Sequence, residues 1–179
     1  MNVPNLLSIS RIVAVPVFIV LMLEPTPLRA LLAGIVFSIA SATDWLDGYL
    51  ARKWGQVTKI GKLLDPLADK ILIVSALILL MNIDPENVPA WTVIIIVGRE
   101  IAVTGLRAKA AGEGIVIAAE NMGKYKVGAQ ITMVLCFVLN YRIGQDWVVS
   151  LGTAALWLSV ILALVSGAQY FISYWRRLT

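Results

Sequence analysis

Four aspartates stand in two pairs in the first half of the chain, Asp44 with Asp47 and Asp65 with Asp69. The stretch reads Asp44-Trp-Leu-Asp47-Gly48-Tyr-Leu-Ala51-Arg52, eight further residues, then Gly61-Lys-Leu-Leu-Asp65-Pro-Leu-Ala-Asp69. Spacings of three and four put each pair on one face of its own helix. The connector contains Lys53, Gly55 and Lys59 and reads as a wet turn that lets the two helices fold back, so that four carboxylates converge. Two carboxylates at ~5 Å repel by about 3 kcal/mol at an effective dielectric of about 20, so protons or a cation must offset the charge. A pair of divalent ions would do so, and an all-oxygen donor set in a chain without histidine suits Mg²⁺ or Mn²⁺ over zinc. Gly48 leaves bare backbone beside Asp47, and Arg52 offers a fork for phosphate oxygens. The chemistry these parts serve best is phosphoryl transfer, where catalysis is mostly positioning and charge neutralisation.

A second group of charges lies further along. Arg99 stands well inside an apolar run, in Val97-Gly-Arg99-Glu100-Ile-Ala-Val-Thr104-Gly-Leu-Arg107. A central arginine is costly in a bilayer, about 2.5–3.5 kcal/mol on lenient insertion scales, so Arg99 is expected to point into the bundle toward carboxylate or phosphate. Its neighbour Glu100 leaves the helix about 100° away and reads as a poor partner. A structural ion pair with another helix is the alternative for Arg99, and a solvated surface charge the alternative for Arg107. Asn121-Met-Gly123-Lys124-Tyr-Lys126 opens another helix, and a glycine beside two lysines at a helix N-terminus suits an anion. Topology alone would equally explain the two lysines.

The elements that must position these residues are helices. The 179 residues are 59% hydrophobic, with a mean hydropathy of +0.84. No soluble domain of this size needs so much apolar surface. The apolar runs are long and not alternating, which predicts membrane-spanning helices over about 6–23, 28–50, 60–81, 90–111, 118–139 and 147–175. Breaks at Glu24–Pro27, Asn82–Pro89, Gly112–Gly114 and Asn140–Asp146 separate them. The first run lacks a small-residue cleavage site and reads as a retained helix. No repeat or composition shift divides the chain, so residues 1–179 read as a single all-α transmembrane catalytic domain, an integral membrane bundle of six helices. With the N-terminus inside, ten basic residues fall on inner loops and ends and only Arg29 and Arg142 on outer ones. That places the aspartates at the cytoplasmic face, and the net charge of +4 reads as topology and phosphate binding rather than nucleic-acid binding. The single Cys136, inside an apolar run, excludes a disulfide framework and reads as a buried structural thiol. Trp45 and Trp54 bracket the inner interface and Trp91 and Trp147 the outer one. Gly34, Ser38, Ala40, Ser41 and Ala42 read as a close helix-packing face.

The aspartate stretch resembles the signature of the CDP-alcohol phosphotransferases, Asp-x-x-Asp-Gly-x-x-Ala-Arg, eight residues, Gly-x-x-x-Asp-x-x-x-Asp, with every fixed position present. The resemblance implies that Asp44, Asp47, Asp65 and Asp69 hold two metal ions and that Asp69 also takes the proton of the attacking hydroxyl. It implies that Asp44, Gly48, Ala51, Arg52 and Gly61 meet the CDP-lipid. The Arg-Glu-Ile-x-Val-Thr-Gly-Leu-Arg run, the Gly-Lys-x-Lys run and Pro4-Asn5 look like the phosphatidylglycerophosphate synthase branch. There the donor is CDP-diacylglycerol and the acceptor glycerol 3-phosphate, whose dianion Arg99, Arg107, Lys124 and Lys126 would hold. A homodimer in a bacterial-type inner membrane follows from the same resemblance. Other acceptors in the family, such as inositol phosphate, serine or a second phospholipid, are the nearest alternative. A cation or proton transporter is a more distant one, since it expects carboxylates strung across the membrane.

Overall fold

A computed structural model describes residues 3–54, 59–113 and 122–178, with side chains over 10–43, 70–113 and 125–177. Among these residues there are six α-helices and no strand: α1 Val3–Leu23, α2 Pro27–Trp54, α3 Lys59–Ile83, α4 Ala90–Gly112, α5 Met122–Ile143 and α6 Asp146–Leu178. All six expected helices are present and several are longer than their apolar runs.

The breaks follow local chemistry. Thr26 caps α2 by accepting the Arg29 N–H on Oγ1 at 3.3 Å, and Pro27 occupies the first helical position, where its missing N–H costs nothing. Asp84 Oδ1 accepts from the Asn87 side-chain amide at 3.0 Å and so shapes the turn between α3 and α4. The α5–α6 break is shorter than the expected Asn140–Asp146. α5 runs on to Ile143, and the chain turns at Gly144, whose φ of 63° suits a residue without Cβ. The Gly144 N–H donates to the Asn140 carbonyl at 2.8 Å, and the Asn140 side chain accepts from the Gln145 N–H at 3.1 Å.

Neighbouring helices close a ring in the order α1, α2, α5, α6, α4, α3, with α3 also touching α5 across the middle. Its core takes residues at helical spacing: Val15, Phe18 and Met22 from α1, Ala33, Phe37 and Ala40 from α2, Leu72, Ala76 and Leu80 from α3, and Met133, Val134 and Phe137 from α5. The Phe18 and Phe37 rings meet at 5.6 Å between centroids, tilted by 46°. Of the expected small-residue face on α2, Gly34 and Ala40 are buried and Ser41 is half-buried, whereas Ser38 and Ala42 face outward. The small-residue stripe is therefore narrower than the sequence suggests. Cys136 is half-buried rather than fully enclosed.

The outward faces are apolar as well: Val20 is 65% exposed, Ile94 68% and Ile101 69%. On length and apolarity, one helix among the described residues can cross a membrane, the 32-residue Asp146–Arg177. The described parts of α1, α2 and α3, Ser10–Leu23, Pro27–Thr43 and Lys70–Ile83, are apolar too. The expectation of six helices is thus met in number, whereas six spans are not established by this test. α4 fails it for a physical reason, since Arg99, Glu100, Arg107 and Lys109 interrupt its apolar run.

Candidate active site

The aspartate signature lies on two helices, as its spacing predicts. Asp44, Asp47, Gly48, Ala51 and Arg52 belong to α2, and Gly61, Asp65 and Asp69 to α3. Their side chains lie outside the described residues, as does that of Lys124. The described part of the site starts one residue after Asp69, at Lys70.

The Lys70 ammonium donates to Thr104 Oγ1 of α4, and that hydroxyl donates to the Glu100 carbonyl one turn back at 2.6 Å. Glu100 is the hub of the cluster. Its Oε1 accepts from Arg99 Nη1 at 3.1 Å and also from the Lys126 ammonium, which α5 brings in. Arg99 reaches the other way too: Nη2 donates to Ser166 Oγ of α6 at 2.8 Å, and the guanidinium lies 5.7 Å from the Tyr170 ring centroid. These side chains are largely withdrawn from solvent, with Lys126 7%, Arg99 11% and Glu100 15% exposed. Beside them a cavity of about 20 Å³, lined in part by Lys70, Glu100, Lys126 and the buried Gln130, has room for one water molecule. An open cleft of about 420 Å³ between α3 and α4 leads to the same charges, with Val74, Val97 and Ile101 on its walls and Lys70 and Glu100 on its lining.

The structure therefore brings Arg99 and Lys126 together. Arg107 lies two turns further along α4, exposed and apart from this cluster. The reading of Glu100 as a poor partner for Arg99 is corrected. The 100° offset governs Cβ directions, and two long side chains bend back far enough to close the gap to 3.1 Å. Arg99 is also held by another helix, though through a hydroxyl rather than a carboxylate.

Sequence reasoning missed several members. Glu100 carried the available signal, an acid inside an apolar run. Lys70 stands next to Asp69 and could have been included on position alone. Ser166 and Gln130 gave no signal beyond polarity. Arg11 is 1% exposed on α1, a helix that packs against α2 and α3, the two that carry the aspartates.

Against known proteins, the family described as CDP-alcohol phosphatidyltransferase matches residues 1–165. The chain belongs to that family. A protein of Bacillus subtilis (strain 168) named CDP-diacylglycerol–glycerol-3-phosphate 3-phosphatidyltransferase is 43% identical to it, over 99% of this chain and 97% of the relative. Relatives of the same name are 36% identical in Rickettsia bellii, over 95% and 93% of the two chains, and 35% identical in Haemophilus influenzae, over 94% and 91%.

Proposed function

We propose that this chain transfers the phosphatidyl group of CDP-diacylglycerol to a hydroxyl of glycerol 3-phosphate, giving phosphatidylglycerol phosphate and CMP. The observation that carries this reading is the 43% identity, over nearly the whole of both chains, to the relative of that activity. The cluster adds physical support. Among the described residues, three cations, Lys70, Arg99 and Lys126, gather around the carboxylate of Glu100, an arrangement that favours an anion such as a phosphate monoester.

Asp44, Asp47, Asp65 and Asp69 form an all-oxygen donor set on adjacent helices, which fits two Mg²⁺ or Mn²⁺ ions. When bound, such ions supply charge neutralisation at the pyrophosphate. Asp44, Gly48, Ala51, Arg52 and Gly61 line the CDP side. Arg99 and Lys126 orient the acceptor phosphate, and Lys124 and the exposed Arg107 draw it in. Asp69 accepts the proton of the glycerol hydroxyl as its oxygen bonds to the lipid-side phosphorus. The pyrophosphate P–O bond breaks in the same displacement, and its electron pair leaves with CMP.

The whole chain reads as one catalytic domain, and the closed helix ring supports this. The apolar outer faces support a multi-pass bundle in a bacterial-type inner membrane, with the basic inner loops and the aspartates toward the cytoplasm. A homodimer completes the proposal. The test is CMP release by purified protein with CDP-diacylglycerol and a series of acceptors. Glycerol 3-phosphate is expected to stimulate it most; stronger stimulation by inositol phosphate, serine or a second phospholipid would move the chain to another acceptor class.

A further inference from the structure

We infer that Glu100 is a positioning residue for the acceptor phosphate, acting through Arg99 and Lys126 without touching substrate. The inference rests on the acceptor reading proposed above. Arg99 leaves α4 and Lys126 leaves α5, and both donate to the same carboxylate oxygen, Glu100 Oε1. Two cations so close repel one another, and the carboxylate between them is what makes their adjacency stable. A guanidinium has five N–H donors, so Arg99 can hold Glu100 and Ser166 and still donate to a second anion. The α4 backbone at Glu100 is tied to α3, because the Glu100 carbonyl accepts the Thr104 hydroxyl, which in turn accepts from Lys70.

Without the Glu100 charge, Arg99 and Lys126 lose their shared acceptor and repel one another, so the two cations no longer converge on one phosphate. Because Lys70 directly follows Asp69, a phosphate held there keeps the rest of a short acceptor near the aspartate signature. The expected signature of the role is a split between substrates, since the CDP-lipid side of the site contains none of these residues.

The experiment measures CMP release with each substrate varied in turn, for the wild type, Glu100→Gln and Glu100→Asp. Glu100→Gln is expected to raise the KM for glycerol 3-phosphate about tenfold or more while the KM for CDP-diacylglycerol stays within about twofold, and Glu100→Asp, which keeps the charge, to recover much of the loss. Should Glu100→Gln fail to fold, Lys126→Met is expected to show the same split. An unchanged acceptor KM in Glu100→Gln, or equal rises for both substrates, overturns the inference alone. Wild-type protein that does not use glycerol 3-phosphate overturns the acceptor reading and this inference together.

Discussion

Arg99 Nη2 donates to Ser166 Oγ at 2.8 Å and so ties the middle of α4 to α6 across 67 residues of sequence. The same guanidinium reaches Glu100 and, through it, Lys126 of α5. Three helices therefore meet at one arginine, and its direction is set from two sides.

Removing the Ser166 hydroxyl tests that tether. Ser166→Ala deletes a largely buried hydrogen bond to a charged group, of the kind that contributes about 1.5–3 kcal/mol. A lower melting temperature in detergent is expected, together with a several-fold rise in the KM for glycerol 3-phosphate. A variant with wild-type melting and wild-type KM would show that the bond contributes neither stability nor orientation.

The Glu100–Lys126 pair predicts non-additivity. Lys126→Met takes one partner from a partly buried carboxylate; for a fully buried one the change typically costs about 3–5 kcal/mol, and here the cost is lessened because Arg99 remains bonded to it. The double variant Lys126→Met/Glu100→Gln removes the charge that would be left behind and should recover at least about 1 kcal/mol relative to the single one. Thermal denaturation of the four proteins in the cycle reads this coupling directly, and strict additivity would contradict the pairing.

Two glycines make opposite predictions from the same substitution. A Cβ at Gly152 would stand 3.1 Å from Cys136 Cβ and from two Phe137 ring atoms, whereas one at Gly128 would meet no heavy atom within 4 Å. Gly152→Ala should cost about 1–3 kcal/mol by overpacking the α5–α6 contact. Gly128→Ala, inside α5, should gain about 0.5–1 kcal/mol because alanine loses less backbone entropy in a helix. Melting temperatures moving in the same direction would contradict the packing between α5 and α6.

Asp69→Asn is expected to abolish CMP release while CDP-lipid binding persists, since the amide cannot take the hydroxyl proton. An active Asn variant would remove the base assignment. Excess EDTA should stop turnover and added Mg²⁺ or Mn²⁺ restore it, and turnover indifferent to EDTA would remove the metal assignment.

Much of the helical order was legible because its causes are local. Pro25 and Pro27 break the chain between α1 and α2, Pro85 and Pro89 between α3 and α4, and long apolar runs define the helices between such breaks. The limits of α5 were less legible, since Asn140, Tyr141 and Arg142 look like a loop by composition. The actual stop is the positive φ of Gly144. The partners of Arg99 were least legible of all. Glu100 sits at an unfavourable offset, and Ser166 lies on a helix whose packing against α4 no local pattern announces.

By itself the sequence determined the helical class, the two aspartate pairs and the family, because apolar run length and residue spacing act within a few turns of one helix. Only the tertiary structure decided that Glu100 joins Arg99 to Lys126, that Ser166 and Tyr170 flank the same guanidinium, and that Arg11 is buried against the helices of the signature. Apart from the bond between the neighbours Arg99 and Glu100, these contacts join residues far apart in the chain. Whether such side chains meet depends on how whole helices pack, which neither partner's local sequence specifies.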